Sequence, residues 1–148
     1  MYKNLLVPID GSKLSERAVK EAVNLARTLE ARITLYYATS DYPEAVYAES
    51  AMMAAYIPED QYREQTEAFA TKVLAKAAAK VTAAGVKADS YQSIADVPYE
   101  GIIAAAKKKR CDLIVMASHG RRGISGFLLG SETQKVLTHS RVPVLVVR

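Results

Sequence analysis

The chain has 148 residues, 50% hydrophobic and 24% charged, the balance of a globular protein with one buried core. No apolar run approaches the roughly 18 residues of a membrane span, and the start, Met1-Tyr2-Lys3-Asn4-Leu5, lacks a signal-peptide layout. The single cysteine, Cys111, excludes an intramolecular disulfide and the formal charge of +4 is modest, so a cytoplasmic protein is expected.

Asn4-Leu5-Leu6-Val7-Pro8-Ile9 reads as a first strand. Helix-spaced apolar residues come next, Ala18, Ala22, Leu25, Ala26 and Leu29 with Val19 and Val23 beside them, and Ser12 or Ser15 is the candidate cap. Ile33 to Ala38, rich in β-branched and aromatic residues, is a second strand. Residues 39–60 break the rhythm with Pro43, Pro58 and several tyrosines. An excursion of that length, with room for a short helix, is often functional in a compact domain. A second helix from about Pro58 or Gln61 to Ala84 puts Phe69, Val73, Ala77 and Val81 on one face and stops near Gly85. Val86 to Ser93 is a weaker strand.

A third helix runs from about Pro98 to Lys109 with Ile102, Ile103 and Ala106 inward. It closes on the only dense basic run, Lys107-Lys108-Lys109-Arg110, where cations offset the negative end of the helix dipole. No aromatic residues interleave with these charges, so nucleic acid is not expected as a partner, nor is a membrane. Leu113 to Ala117 is the fourth strand, Glu132 to Ser140 the last helix and Val142 to Val147 the fifth strand. Strands alternating with helices imply a parallel sheet covered on both faces, in a single domain over residues 1–148.

The segment from Met116 to Ser131 joins the fourth strand to the last helix and holds Gly120, Gly123, Gly126 and Gly130. A glycine-rich turn between a buried strand and a helix N-terminus is a phosphate-binding arrangement. Unpaired N–H groups and the helix dipole favour an anion, and glycine permits close approach. The same glycines also fit a long loop with no ligand, and neither the P-loop nor the dinucleotide pattern is present. Asp10, at the end of the first strand, suits a ribose hydroxyl, or equally a turn aspartate tied to the N–H of Ser12 or Lys13. Ser131-Glu132-Thr133-Gln134 fits a capping box, which coexists with a phosphate beside it. Ser118 and His119 are not a catalytic pair by adjacency, His119 reads as a loop-ordering residue, and no metal-ligand spacing occurs. Cys111, ahead of a buried strand, reads as inert.

Leu5-Leu6-Val7-Pro8-Ile9-Asp10-Gly11-Ser12, Met116-Ala117-Ser118-His119-Gly120, Gly130-Ser131 and the ending Val142-Pro143-Val144-Leu145-Val146-Val147 together resemble the universal stress proteins, over essentially the whole chain. The resemblance implies a five-stranded, Rossmann-like α/β fold of strand order 3-2-1-4-5. It also implies the phosphate signature G-x2-G-x9-G-[ST], whose first glycine is Ala117 here while Gly120, Gly130 and Ser131 match. By resemblance, Pro8, Ile9 and Asp10 hold adenosine, and Ala38 lines adenine. Met116, Ala117, His119 and Gly120 form the turn, and Gly130, Ser131, Glu132 and Thr133 receive phosphates, with the hydroxyls of Ser131 and Thr133 assisting.

The expected function is that of a cytoplasmic stress-response protein that binds ATP, with Mg²⁺ sharing the phosphate charge, as a regulatory ligand toward an unidentified protein partner. No residue is a strong hydrolytic base, so hydrolysis is expected to be slow at most. The alternatives are a stress protein acting by protein–protein contact without nucleotide, and a nucleotide-activating enzyme. The resemblance also implies a homodimer through the last strand, Val142, Val144, Leu145 and Val146. That pairing would cover an exposed apolar edge.

Overall fold

β1 (Asn4–Pro8) is the middle of five strands, and its alternation explains the layering. Leu5 and Val7 point into one apolar layer and Leu6 into the other, as the two-residue period of a strand requires. A computed structural model describes residues 1–43, 57–120 and 129–148. After β1 come α1 (Lys13–Leu29), β2 (Arg32–Thr39), α2 (Glu59–Ala83), β3 (Ala88–Ile94) and α3 (Pro98–Lys108). β4 (Leu113–Ala117), α4 (Ser131–His139) and β5 (Val144–Val147) complete the described elements. All strand pairs are parallel and the order is β3-β2-β1-β4-β5, as the resemblance implies.

α1 starts where Ser12 Oγ accepts a 3.1 Å hydrogen bond from the Ser15 N–H, so Ser12 is the cap of the two candidates. Ser15 is buried in the first turn and donates its own hydroxyl to the Ser12 carbonyl at 2.9 Å. One face of the sheet packs Leu5, Val7, Ile33, Leu35 and Val115 against α1 and α2. The other packs Leu6, Tyr36, Ile114 and Met116 against α3 and α4, with Val136 wholly buried between them. Each large apolar side chain so buried contributes about 1.5–3 kcal/mol before entropy is counted. Cys111 belongs to this second layer, and its burial pushes the thiol above its ordinary pKa, which keeps it neutral.

The inward face of α2 is Ala70, Leu74, Ala77 and Val81: Ala77 and Val81 are buried as expected, while Ala70 and Leu74 take the places expected of Phe69 and Val73 in the earlier turns. Phe69 is 45% exposed and meets the edge of Tyr37 at 6.2 Å between ring centres. In α3 it is Ala105 that joins Ile102 and Ala106 inside, while Ile103 is half-buried. β5 begins at Val144, two residues later than expected: Pro143 has no N–H to donate, though its carbonyl accepts from Ile114 at 2.9 Å. Most of the 39–60 excursion, with the short helix expected there, lies outside the described residues. Among the described residues no helix is long and apolar enough to cross a membrane.

Gly101, in the first turns of α3, has no room for a side chain: a Cβ there would strike the Tyr36 hydroxyl and lie 2.6 Å from the Ala95 Cβ. Gly→Ala in a helix ordinarily gains about 1 kcal/mol. At Gly101 the overpacking reverses the sign, and Gly101→Ala is expected to destabilise by about 1–3 kcal/mol in urea unfolding. Adding Tyr36→Phe, which removes the struck oxygen, should recover part of that loss.

Candidate functional site

Between β1 and β4 the chain order reverses: β2 and β3 extend the sheet to one side, β5 to the other. The connections leaving β1 and β4 therefore part, and a crevice opens beyond their C-terminal ends. Asp10 and Gly11 follow β1 into it, Ser118, His119 and Gly120 follow β4, and α4 begins beside them.

Asp10 Oδ1 accepts from the Ser12 N–H at 2.9 Å. Gly11 takes a φ of 81° to make the turn, a left-handed conformation suited to glycine. The other oxygen, Oδ2, stands against Gly120, where a Cβ would come within 2.9 Å of it. The Oδ1 contact is the turn reading of Asp10, with Ser12 as the partner of the two expected. Ile9 and Met116 are core residues: each is only 6% exposed, and the Ile9 N–H donates to the Tyr36 carbonyl at 2.8 Å. Pro8 and Ala38 are half-buried at the ends of neighbouring strands. Ser118 is buried, and its hydroxyl shares a 3.0 Å hydrogen bond with His119 Nδ1, the loop-ordering role expected of that histidine.

α4 is clamped onto the end of β4. The Gly130 N–H donates to the Ser118 carbonyl at 2.8 Å, and the buried Thr133 hydroxyl donates to the Ala117 carbonyl at 3.0 Å. A Cβ on Gly130 would lie 3.1 Å from the Ser118 oxygen and 3.3 Å from the His119 Cα, a tight fit that favours glycine. The capping box expected at Ser131 does not form. Gly130 is the N-cap, its carbonyl accepting from the Gln134 N–H at 3.0 Å, and Ser131 is the first helical residue, with its side chain exposed. The Glu132 carboxylate reaches across to α3, where Oε2 accepts from the Tyr99 N–H at 2.8 Å and Oε1 from Lys135 at 3.2 Å. That satisfies an N–H in the first turn of α3, a helix whose N-cap Val97 has no side-chain cap. Of the four residues assigned to phosphates, only Ser131 retains an exposed hydroxyl beside the helix N-terminus; Thr133 and Glu132 are engaged in packing. The N–H groups of Ser131, Glu132 and Thr133 have no partner within the helix, by the geometry of a helix start.

The universal stress protein family model matches residues 1–148. The chain belongs to this family. Universal stress protein YxiE of Bacillus subtilis is 34% identical over 100% of both chains. The solved structure of hypothetical protein MJ0577 matches with a TM-score of 0.81 and 26% identity, covering 99% of this chain and 96% of that one. A universal stress protein solved in complex with cAMP matches with a TM-score of 0.71 and 26% identity, covering 99% of this chain and 97% of that one. In this member Ala117, at the first glycine of the phosphate signature, ends β4 opposite Val147. Its φ is not positive; among the described residues only Glu30, Arg110, Gly11 and Gly85 have positive φ.

Sequence reasoning missed the Glu132–Tyr99 bond, which spans 33 residues and leaves no local pattern. The hydroxyl of Thr133, expected at the ligand, is instead a packing contact. Thr133→Val removes that hydroxyl at constant shape and leaves the buried Ala117 carbonyl without its donor. The expected result is a loss of about 1–3 kcal/mol in urea unfolding.

Proposed function

We propose that this universal stress protein binds an adenine nucleotide, ATP with Mg²⁺, as a regulatory ligand in the crevice beyond β1 and β4. The observation that carries the reading is the meeting of the Asp10 Oδ2 oxygen with Gly120 beside the start of α4. An acceptor for a ribose hydroxyl then stands next to a helix N-terminus able to take phosphate. Binding of cAMP by a structural neighbour of 26% identity supports the same ligand class.

In this reading Asp10 accepts from the ribose, and the strand ends at Pro8–Ile9, Ala38 and Met116–Ala117 border the adenosine. His119 and Gly120 form the turn. The N–H groups of the first turn of α4, with the Ser131 hydroxyl, hold phosphate. Gly130, Glu132 and Thr133 keep that turn in place. Among the described residues no three His, Cys, Asp or Glu side chains gather into a metal cage. Mg²⁺ therefore arrives with the triphosphate, bound by phosphate oxygens and water. No acid–base pair suited to fast hydrolysis is part of the proposal, and the nucleotide acts by being bound. The protein works in the cytoplasm as a homodimer paired along β5. Leu145, 42% exposed on this edge strand, and its neighbours Val142, Val144 and Val146 make the contact.

Calorimetric titration of nucleotide-stripped protein with ATP and Mg²⁺ tests the ligand, with saturation near one nucleotide per chain expected. Asp10→Asn keeps the Oδ1 acceptor for Ser12 and replaces the other oxygen with a donor. It should weaken binding by about 1.5–3 kcal/mol with the fold intact. Absence of heat at two temperatures would leave the crevice a structural turn. Leu145→Lys should shift sedimentation from two chains to one.

A further inference from the structure

Every described helix runs antiparallel to the strands, so four helix C-termini and five strand N-termini meet at one pole, opposite Asp10 and Gly120. At that pole each strand is preceded or begun by an exposed cation. Across the sheet from β3 to β5 these are Lys87, Arg32, Lys3, Arg110 and Arg141. Backbone hydrogen bonds hold the ends level. The Ile33 N–H donates to the Lys87 carbonyl and the Arg32 N–H to the Lys3 carbonyl, both at 2.9 Å. The Asp112 N–H donates to the Asn4 carbonyl at 3.0 Å, and the Ile114 N–H to the Pro143 carbonyl at 2.9 Å. With strands about 4.8 Å apart, the five cations make a row roughly 19 Å long.

Helix dipoles account for part of this charge. Four C-termini at about −0.5 each present about −2. Besides Lys80, which is ion-paired with Glu16 at 3.3 Å, the pole carries nine Lys and Arg, the row plus Arg27, Lys107, Lys108 and Lys109, against three carboxylates, Glu30, Asp89 and Asp112. That is a net +6 in a chain whose total is +4, so the remainder of the molecule is net negative. The dipoles leave about +4 of this excess unanswered. Lys109 and Arg32 both lean on Asp89, at 3.1 and 3.7 Å, and this single carboxylate does not neutralise the two.

We infer that this pole binds a nucleic-acid strand through its phosphodiester backbone. A row of cations matches a linear polyanion charged at every unit, and three of the five are arginines, whose fork suits phosphate oxygens. A membrane surface would ask for a two-dimensional field backed by inserting apolar groups. Tyr91, the ring nearest the basic run, stacks on Tyr36 at 5.7 Å between centres and has Lys108 and Lys109 at 4.9 and 5.1 Å. With that ring engaged, binding has no base-stacking platform and no sequence preference. The run Lys107–Arg110 supplies one turn of this surface, and the fold brings four other strand ends into line with it.

Fluorescence anisotropy of the full chain with a labelled oligo-dT of about 20 nucleotides, titrated at about 50–200 mM KCl, tests this. Contact with about five phosphates gives a slope of log affinity against log salt near −3.5. Lys87→Glu/Arg110→Glu/Arg141→Glu should lower affinity at least tenfold. Arg17→Glu/Lys20→Glu/Lys72→Glu, with the same net charge but its changes on α1 and α2, should change it less than threefold. Urea midpoints check that both variants fold, and the three single reversals, each expected to weaken binding two- to threefold, stand in if the triple variant does not. No saturable binding at the lowest salt, equal loss in both triple variants, or displacement by polyglutamate or phosphatidylserine vesicles as effective as by unlabelled oligo-dT would each overturn the inference.

Discussion

The hydrogen bond from the Gly130 N–H to the Ser118 carbonyl sets where α4 starts, and the crevice takes its form from that start. With the Thr133 hydroxyl on the Ala117 carbonyl, it fixes the helix to consecutive carbonyls at the end of β4. Two anchors on adjacent residues leave the helix neither axial nor rotational freedom at its N-terminus. Gly130 is part of the same constraint, because any Cβ would meet the carbonyl that its own N–H must reach. Glu132 then carries the constraint onward by bonding the first turn of α3. A helix N-terminus intended for an anion needs this kind of support. Its dipole acts over only the first turn, so a shift of one residue would re-aim the free N–H donors.

The helices point all their N-termini at one end of the sheet and all their C-termini at the other, which makes the two poles electrostatically unequal before any side chain is considered. The crevice pole offers backbone donors and the positive ends of helix dipoles. The opposite pole begins with about −2 from helix ends and is overwritten by a net +6 of side chains. Backbone donors at the first pole act over a few ångströms, within the first turn of a helix. At the second an anion is held by a field that salt screens within about 8–10 Å. The two poles are thus suited to different ligands, one compact and one extended.

The strands are legible in the sequence because parallel strands buried on both faces read as continuous apolar runs, and Leu113–Ala117 matches residue for residue. The face of α2 is read correctly at Ala77 and Val81 and misread in its earlier turns, because Phe69 looks like a core residue by size, whereas the space against the sheet admits Ala70. One residue, about 100° of rotation, separates Phe69 from Ala70 and Val73 from Leu74, and small side chains give little weight to a periodicity. At α4 the spacing of Ser131 and Gln134 fits a capping box, yet the contacts with Ala117 and Ser118 set the boundary one residue earlier. Local pattern loses to tertiary packing there. The cation row is invisible in the linear sequence for a plainer reason: Lys3, Arg32, Lys87, Arg110 and Arg141 become neighbours only once the strand order is known.

Ala117 shows how far a sequence signature and its physical cause can part. Glycine at the first position of the phosphate signature is explicable in two ways, as a left-handed backbone or as clearance for a ligand. Ala117 lies in β4, opposite Val147, and its carbonyl receives the Thr133 hydroxyl. Its φ is not positive, and the next residue, Ser118, continues the ladder by donating its N–H to the Val147 carbonyl at 2.8 Å. Extended backbone of this sort costs alanine nothing, so the first explanation does not apply to this chain. Clearance is all that is left, and the cost is one methyl group on a residue already enclosed by the protein, with 7% of its surface exposed. Gly120 and Gly130 differ in kind, because a Cβ at either would crowd the protein itself, the Asp10 carboxylate at 2.9 Å in one case and the Ser118 carbonyl oxygen at 3.1 Å in the other.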